Sequence, residues 1–168
     1  MSSMKGFYRI RDTDGDDRYD DFQLLKKLGV GYEHSAHSII KSEDGEALYL
    51  VTGNHTAVPD GVDSLQPPVG GLDSLLPAMP DAMGHAVGIR APAGWICRIS
   101  PDGKVWKMIA SGFRNPVDLA INREGELFTF DSDLEFDIGS PWYRPTRVNH
   151  VTSAGEFGWR TGSAKWPE

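Results

Sequence analysis

The chain has 168 residues, of which 39% are hydrophobic and 24% are charged, a composition typical of a globular domain with a hydrophobic core. Its net charge of −7 comes without any run of basic residues, which argues against nucleic acid as a partner. The single cysteine, Cys97, excludes an internal disulfide, a cysteine-rich zinc site and the Cys-x-x-Cys-His attachment motif of a c-type haem.

The first predicted element is a β-strand over Gly6 to Arg11, where apolar and polar residues alternate as in a strand with one buried face. Phe22 to Leu28 fits either its partner strand or a short helix. The chain contains 19 glycines and 11 prolines, which favour short strands and turns over a helical bundle. We therefore expect an all-β fold.

An acidic run joins these two segments. It has carboxylates at four closely spaced positions, Asp12, Asp14, Asp16 and Asp20. This spacing is how a calcium loop of the EF-hand type begins. However, Asp17 stands where that loop has glycine, and Gln23 stands where it has a bidentate glutamate. The run is therefore interpreted in two ways, as a calcium site or as a solvated hairpin turn.

Histidines mark the start of the next predicted hairpin. His34 and His37 lie just before a strand, Asp44-Gly45 forms the turn, and Ala47 to Thr52 forms the return strand. A histidine at such a position is suited to general-base catalysis, because an imidazole ordinarily titrates near neutrality. A structural role at the strand end and a His-x-x-His zinc pair are the alternatives, although no third zinc ligand is evident.

A long irregular loop is expected at about residues 57–94, where prolines, glycines and aspartates interrupt any hydrophobic periodicity. Loops of this length are usually either functional or disordered. His85 lies in the loop between Gly84 and Ala86, two residues small enough to let a ligand approach it closely. A loop histidine in solvent is the alternative interpretation.

The rest of the chain repeats one unit, a polar turn between two β-like runs. The predicted strands are Trp95–Ser100, Val105–Ala110, Leu119–Ile121, Leu127–Phe130 and Arg147–Thr152. The repeated turns are Ser42–Gly45, Ser100–Gly103 and Asn122–Gly125. Repeated hairpins of this kind are typical of β-propellers. Arg114 and Asn115 precede Pro116, which keeps them extended or in a turn, so they face whatever binds at that end of the sheet.

Two further stretches carry candidate site residues. Asp131 to Asp137 has a carboxylate at every second position, and a strand would place all of these on one face. Such a face is either solvated or binds a divalent cation, with Asp131 and Asp133 as candidate calcium ligands. Trp142 and Arg144 combine a stacking surface with positive charge, which suits a planar anionic cofactor; simple packing of the ring against the arginine is the alternative.

Several stretches, in this order, resemble the glucose/sorbosone dehydrogenase family. They are Gly112-Phe-Arg-Asn-Pro-Val-Asp-Leu-Ala-Ile121, Gly125-Glu-Leu-Phe128 and Glu156-Phe-Gly-Trp159. Trp142 to Arg147 and Ala164-Lys-Trp-Pro167 are similar to elements of the large propeller proteins labelled membrane-bound dehydrogenases. The resemblance covers most of the chain and implies a β-propeller whose characterised members use pyrroloquinoline quinone (PQQ).

The resemblance also implies an activity, the oxidation of a sugar or alcohol hydroxyl with hydride transfer to PQQ and an electron-acceptor protein as partner. His34 would be the catalytic base, and calcium would orient the quinone. Cofactor-binding residues would be Arg114, Asn115, His37, His85, Trp142 and Arg144. The family often has Gly-Gly-Arg after the histidine, whereas Ser35-Ala-His-Ser38 stands here. A propeller that binds a partner without redox chemistry is the alternative.

The expected extent of the domain follows from the same resemblance. A propeller blade takes roughly 40–45 residues and propellers usually have at least four blades, so residues 1–168 are expected to form a partial propeller. The family is usually exported, which implies a periplasmic or extracytoplasmic location. The sequence itself shows neither the apolar core of a signal peptide nor a transmembrane segment.

Overall fold

The computed structural model describes residues 6–29, 33–66, 86–132, 136–137, 140–141 and 146–160. Every regular element in these residues is a β-strand, which confirms the all-β prediction. The strands are β1 (Gly6–Arg11), β2 (Asp21–Lys27), β3 (Ala36–Lys41), β4 (Leu48–Thr52), β5 (Asp63–Ser64), β6 (Gly94–Ile99), β7 (Trp106–Phe113), β8 (Pro116–Ile121), β9 (Leu127–Asp131), β10 (Phe136–Asp137), β11 (Ser140–Pro141), β12 (Arg147–Val151) and β13 (Gly155–Glu156). None of the described segments contains a helix long and apolar enough to span a membrane.

The N-terminal hairpin pairs β1 with β2 in antiparallel register, so the segment after the acidic run is a strand and not a helix. Phe7 of β1 is buried and meets the ring of Trp106 edge-on, with ring centroids 5.1 Å apart. The Lys26 ammonium lies over the same indole ring. These contacts attach the hairpin to the main sheet by aromatic packing.

The main sheet is an antiparallel meander in the order β3-β4-β6-β7, and both β5 and β13 run parallel to β7. Strand β6 is the centre of the core, with Trp95, Ile96 and Cys97 fully buried. Burial raises the pKa of the Cys97 thiol to about 12, so this cysteine is a small apolar residue of the core. Because the first four residues of β6 pack on both faces, they are apolar without alternation, and Arg98 is the one exposed residue of the strand.

A second antiparallel sheet, in the order β8-β9-β12, packs against the first. Its first strand, β8, lies beside β3, the first strand of the main sheet. The Ser38 hydroxyl on β3 donates to the Asp118 carboxylate on β8, and this hydrogen bond lowers the pKa of Asp118. At the starts of the two strands, His37 contacts Asn115. Because the two starts lie together and the strands are neighbours, β3 and β8 run in the same direction.

The three repeated turns have the same geometry, as predicted. Gly45, Gly103 and Gly125 adopt φ angles of 76°, 74° and 81°, which glycine reaches without steric cost. Each glycine N–H donates to the carbonyl three residues earlier, at 3.0, 2.8 and 3.0 Å. The polar turn between β-like runs is therefore a true structural repeat.

Two expectations about local structure need correction. The irregular loop at 57–94 contains a short strand, β5, whose Asp63 and Ser64 pair with β7. The second correction concerns Asp131 to Asp137, which do not form one strand. Strand β9 ends at Asp131, Ser132 is not in a strand, and the next strand among the described residues begins at Phe136. Asp131 itself is buried, and its carboxylate accepts backbone N–H groups before β8 and does not belong to an acidic strand face.

Candidate functional site

The segments that precede β3 and β8 meet at one end of the two sheets. Strand β4 runs antiparallel to β3, with Ala36 paired to Thr52, so the turn after β4 returns beside His34. In this turn the N–H of His55 donates to the His34 carbonyl at 3.1 Å, and the N–H of Asn54 donates to the Arg114 carbonyl at 2.7 Å. The turn therefore joins the start of β3 to the start of β8.

Gly53 makes this close approach possible. A Cβ atom at Gly53 would lie 2.7 Å from the His34 Cβ and 2.8 Å from Oδ1 of Asn115. Real Cβ atoms do not come that close to another heavy atom, so only glycine fits between the two side chains. The sequence Gly53-Asn54-His55 thus positions the predicted site residues from both sheets.

His34 is buried, with 6% of its surface exposed, and it lies in a small polar cluster. Its Nδ1 atom is 2.7 Å from Oδ1 of Asn54, and its ring lies 4.7 Å from the ring of His55. An amide oxygen can only accept, so this contact requires a proton on Nδ1, and in the neutral imidazole Nε2 then carries the lone pair. The hydrogen bond to Asn54 fixes the orientation of the His34 ring at this end of the two sheets.

His37 and Asn115 connect the two sheets at the same end. The Nε2 atom of His37 lies 2.6 Å from Oδ1 of Asn115, although the two residues are 78 positions apart in sequence. His37 is exposed, whereas His34 is buried. The structure thus brings together three predicted site residues, His34, His37 and Asn115, around one turn.

Arg114 and Asp131 lie just behind this cluster. Arg114 is 8% exposed, and its guanidinium donates to the carbonyl and hydroxyl oxygens of Ser132 at 3.4 and 3.3 Å. Asp131 is fully buried and accepts the N–H groups of Arg114 and Asn115 at 3.1 and 2.7 Å. An Arg147 nitrogen lies 3.8 Å from the same carboxylate. Both carboxylate oxygens therefore hold the start of β8, and calcium coordination by Asp131 stays a prediction.

The acidic run forms a separate cluster in the turn between β1 and β2. Carboxylate oxygens of Asp12, Asp14 and Asp16 lie within 4.8 Å of one another. Hydrogen bonds from backbone N–H groups, first that of Gly15, lower the pKa of Asp12. Asp17 adopts a φ of 66°, so the residue at the glycine position takes the left-handed conformation after all.

The residues at the other two ligand positions of the calcium-loop pattern, Asp20 and Gln23, form hydrogen bonds within the protein. The Asp20 carboxylate accepts hydrogen bonds from Thr13, whose hydroxyl lowers the pKa of Asp20. At the position of the bidentate glutamate, Gln23 accepts a hydrogen bond from Arg9. Calcium binding by the run therefore remains a prediction that rests on three carboxylates, Asp12, Asp14 and Asp16.

Four predicted site residues lie outside the described residues. They are His85, Trp142, Arg144 and the calcium candidate Asp133. Their roles stay predictions, and the candidate site described above consists of the other predicted residues and their partners.

Asn54 and His55 are two residues of this cluster that were not among the site residues predicted from the sequence. Both follow the return strand of the histidine hairpin, in the turn Gly53–Thr56. A hairpin centred on Asp44-Gly45 places residues 54 and 55 opposite residue 34, so the register of the hairpin was the available signal.

Comparison with known proteins leaves the family open. No family model matches the chain, and no curated protein matches it. The resemblance to glucose/sorbosone dehydrogenases therefore rests on the sequence stretches quoted above, and the role of the site is argued from its geometry.

Proposed function

We propose that the chain is part of a β-propeller dehydrogenase that oxidises a hydroxyl group of a sugar or alcohol, with His34 as the general base. Two successive antiparallel meanders, β3-β4-β6-β7 and β8-β9-β12, support the propeller part of the proposal. Their first strands run side by side in the same direction, which is the arrangement of the inner strands of neighbouring propeller blades. The candidate site lies where these two strands begin.

The observation that carries the proposal is the hydrogen bond between His34 and Asn54. With its proton on Nδ1 held by the amide oxygen, His34 accepts the substrate hydroxyl proton at Nε2. The same hydrogen bond becomes charge-assisted when the imidazolium forms, so Asn54 stabilises the charge that develops during the reaction. Burial of His34 strengthens its hydrogen bond to Asn54 because the local dielectric is low.

The residues at the start of β8 fit an anionic cofactor such as PQQ. Asn115, which contacts His37, offers hydrogen-bonding groups, and Arg114, whose guanidinium lies against Ser132, offers a cation. When bound, PQQ supplies a two-electron oxidant that accepts the hydride. The oxygens of Asp12, Asp14 and Asp16 fit a calcium ion, which would stabilise the turn between β1 and β2.

A second candidate function is a propeller that binds a partner without redox chemistry. The observation in its favour is the environment of Arg114, which is largely buried and donates to Ser132. In this alternative, Arg114 fastens the end of β9 to the start of β8 and does not contact a cofactor.

A titration with PQQ, followed by absorbance with and without calcium, separates the two functions. We expect saturable binding by the native chain and a loss of affinity of at least about tenfold for Arg114→Gln, since one charge-assisted contact is removed. Arg98→Gln is the matched control, because Arg98 is exposed on β6. A chain that keeps its native circular dichroism spectrum and binds no PQQ would exclude the dehydrogenase and favour the second function.

A further inference from the structure

A cavity of about 390 Å³ lies beside the candidate site, between the turn after β4 and the segment that leads into β6. Residues 54–58 and 88–93 form its walls. Its volume falls in the range of roughly 300–1,000 Å³ that is usual for small-molecule sites. The cavity adjoins His34 because Asn54, which lines it, is the hydrogen-bond partner of the His34 ring.

The described lining of the cavity carries one positively charged residue, although the protein as a whole is acidic. Arg90 lines it, and no aspartate or glutamate does so among the described residues. The chain as a whole has a net charge of −7, so a lining that contains an arginine and no carboxylate departs from the average surface. An arginine guanidinium is suited to binding a carboxylate because its paired N–H donors match the two oxygens.

A second donor adjoins the cavity. Asn54 is 4% exposed, and its Nδ2 atom is buried without a hydrogen-bond partner in the described part of the chain. A buried amide donor without a partner is unfavourable, so an acceptor oxygen that reached Nδ2 would gain a hydrogen bond that the protein does not provide. His55, whose ring is tilted by 30° against that of His34, supplies a further polar group in the same lining.

We propose that this cavity binds the carboxylate of a small polyhydroxy acid. The carboxylate pairs with the Arg90 guanidinium and accepts a hydrogen bond from Asn54, while Val58, Ile89 and Pro92 contact the carbon chain. A hydroxyl on that chain then lies near His34. This last step rests on the proposed function and narrows its substrate class from sugars and alcohols to sugar acids.

The test compares gluconate with sorbitol by isothermal titration calorimetry in the absence of PQQ. The two probes have the same length of hydroxylated carbon chain, and gluconate has a carboxylate where sorbitol has a hydroxymethyl group. We expect gluconate to bind at least about tenfold more tightly than sorbitol, and Arg90→Gln to remove this preference. Arg123→Gln is the matched control, because Arg123 is also exposed but lies in the turn between β8 and β9.

A second variant, Asn54→Asp, tests the amide donor. It keeps an acceptor oxygen for His34, replaces the Nδ2 donor and adds a negative charge, so gluconate affinity is expected to fall at least about tenfold. Equal affinities for gluconate and sorbitol, no binding of gluconate by the folded chain, or native gluconate affinity in Arg90→Gln would each overturn the inference. Gluconate binding by a chain that does not bind PQQ would support the carboxylate site and reject the proposed dehydrogenase activity. PQQ binding without gluconate binding would support the dehydrogenase activity and reject the carboxylate site.

Discussion

Replacing His34 by glutamine is expected to lower PQQ-dependent turnover by about 10²–10⁴-fold, the factor that a positioned general base usually contributes. Glutamine is polar and can still pair with Asn54, but it has no basic nitrogen to accept the hydroxyl proton. Turnover would be measured with PQQ, calcium and a dye acceptor over a panel of sugars, alcohols and sugar acids.

The control for this prediction is His150→Gln. His150 is exposed on β12, where its ring stacks on Phe128 and its Nε2 atom lies 2.7 Å from the Glu126 carboxylate. It lies outside the polar cluster around His34, so its variant should keep the native turnover. Native turnover in His34→Gln would show that another group accepts the proton.

Replacing Asp131 by asparagine is expected to lower the free energy of unfolding by about 3 kcal/mol, as when one partner of a buried charged pair is removed. Both oxygens of the fully buried Asp131 accept backbone N–H groups. In the variant, an NH₂ group faces one of these N–H donors, and the charge near Arg147 is lost. Urea unfolding followed by tryptophan fluorescence measures the difference.

Asp102→Asn provides the reference for this measurement. Asp102 lies in an exposed turn, where its Oδ1 accepts the Ser100 hydroxyl and the Lys104 N–H, and asparagine can accept the same hydrogen bonds. Its unfolding free energy should stay within about 0.5 kcal/mol of the native value. If Asp131→Asn lowered the free energy of unfolding as little as Asp102→Asn does, the buried carboxylate would not be the group that stabilises the start of β8.

The strands could be predicted from the sequence because their signals are local. The alternation of apolar and polar residues in Gly6–Arg11 favours a strand over those residues alone. Each of the glycines Gly45, Gly103 and Gly125 determines only the turn in which it lies. The segment after the acidic run was ambiguous for the opposite reason. Its strand conformation is decided by pairing with β1, which no feature inside the segment encodes.

The candidate site could be predicted only in part. His34 was identified by its place before a strand, whereas its partner Asn54 depends on the register of the β3–β4 hairpin. Asp131 was assigned to an acidic strand face because the spacing of carboxylates says nothing about burial. Its actual partners, the N–H groups of Arg114 and Asn115, come from a strand start 16 residues or more away in sequence.

The most direct test of the central claim is the tautomer of His34, read from long-range nitrogen–proton NMR correlations of the folded chain at mildly alkaline pH. We expect a proton on Nδ1 and a lone pair on Nε2, because Nδ1 donates to the Asn54 oxygen. A proton on Nε2 would contradict this expectation. In that case Nδ1 would accept from the Asn54 amide, and His34 would have no basic nitrogen available for a substrate hydroxyl.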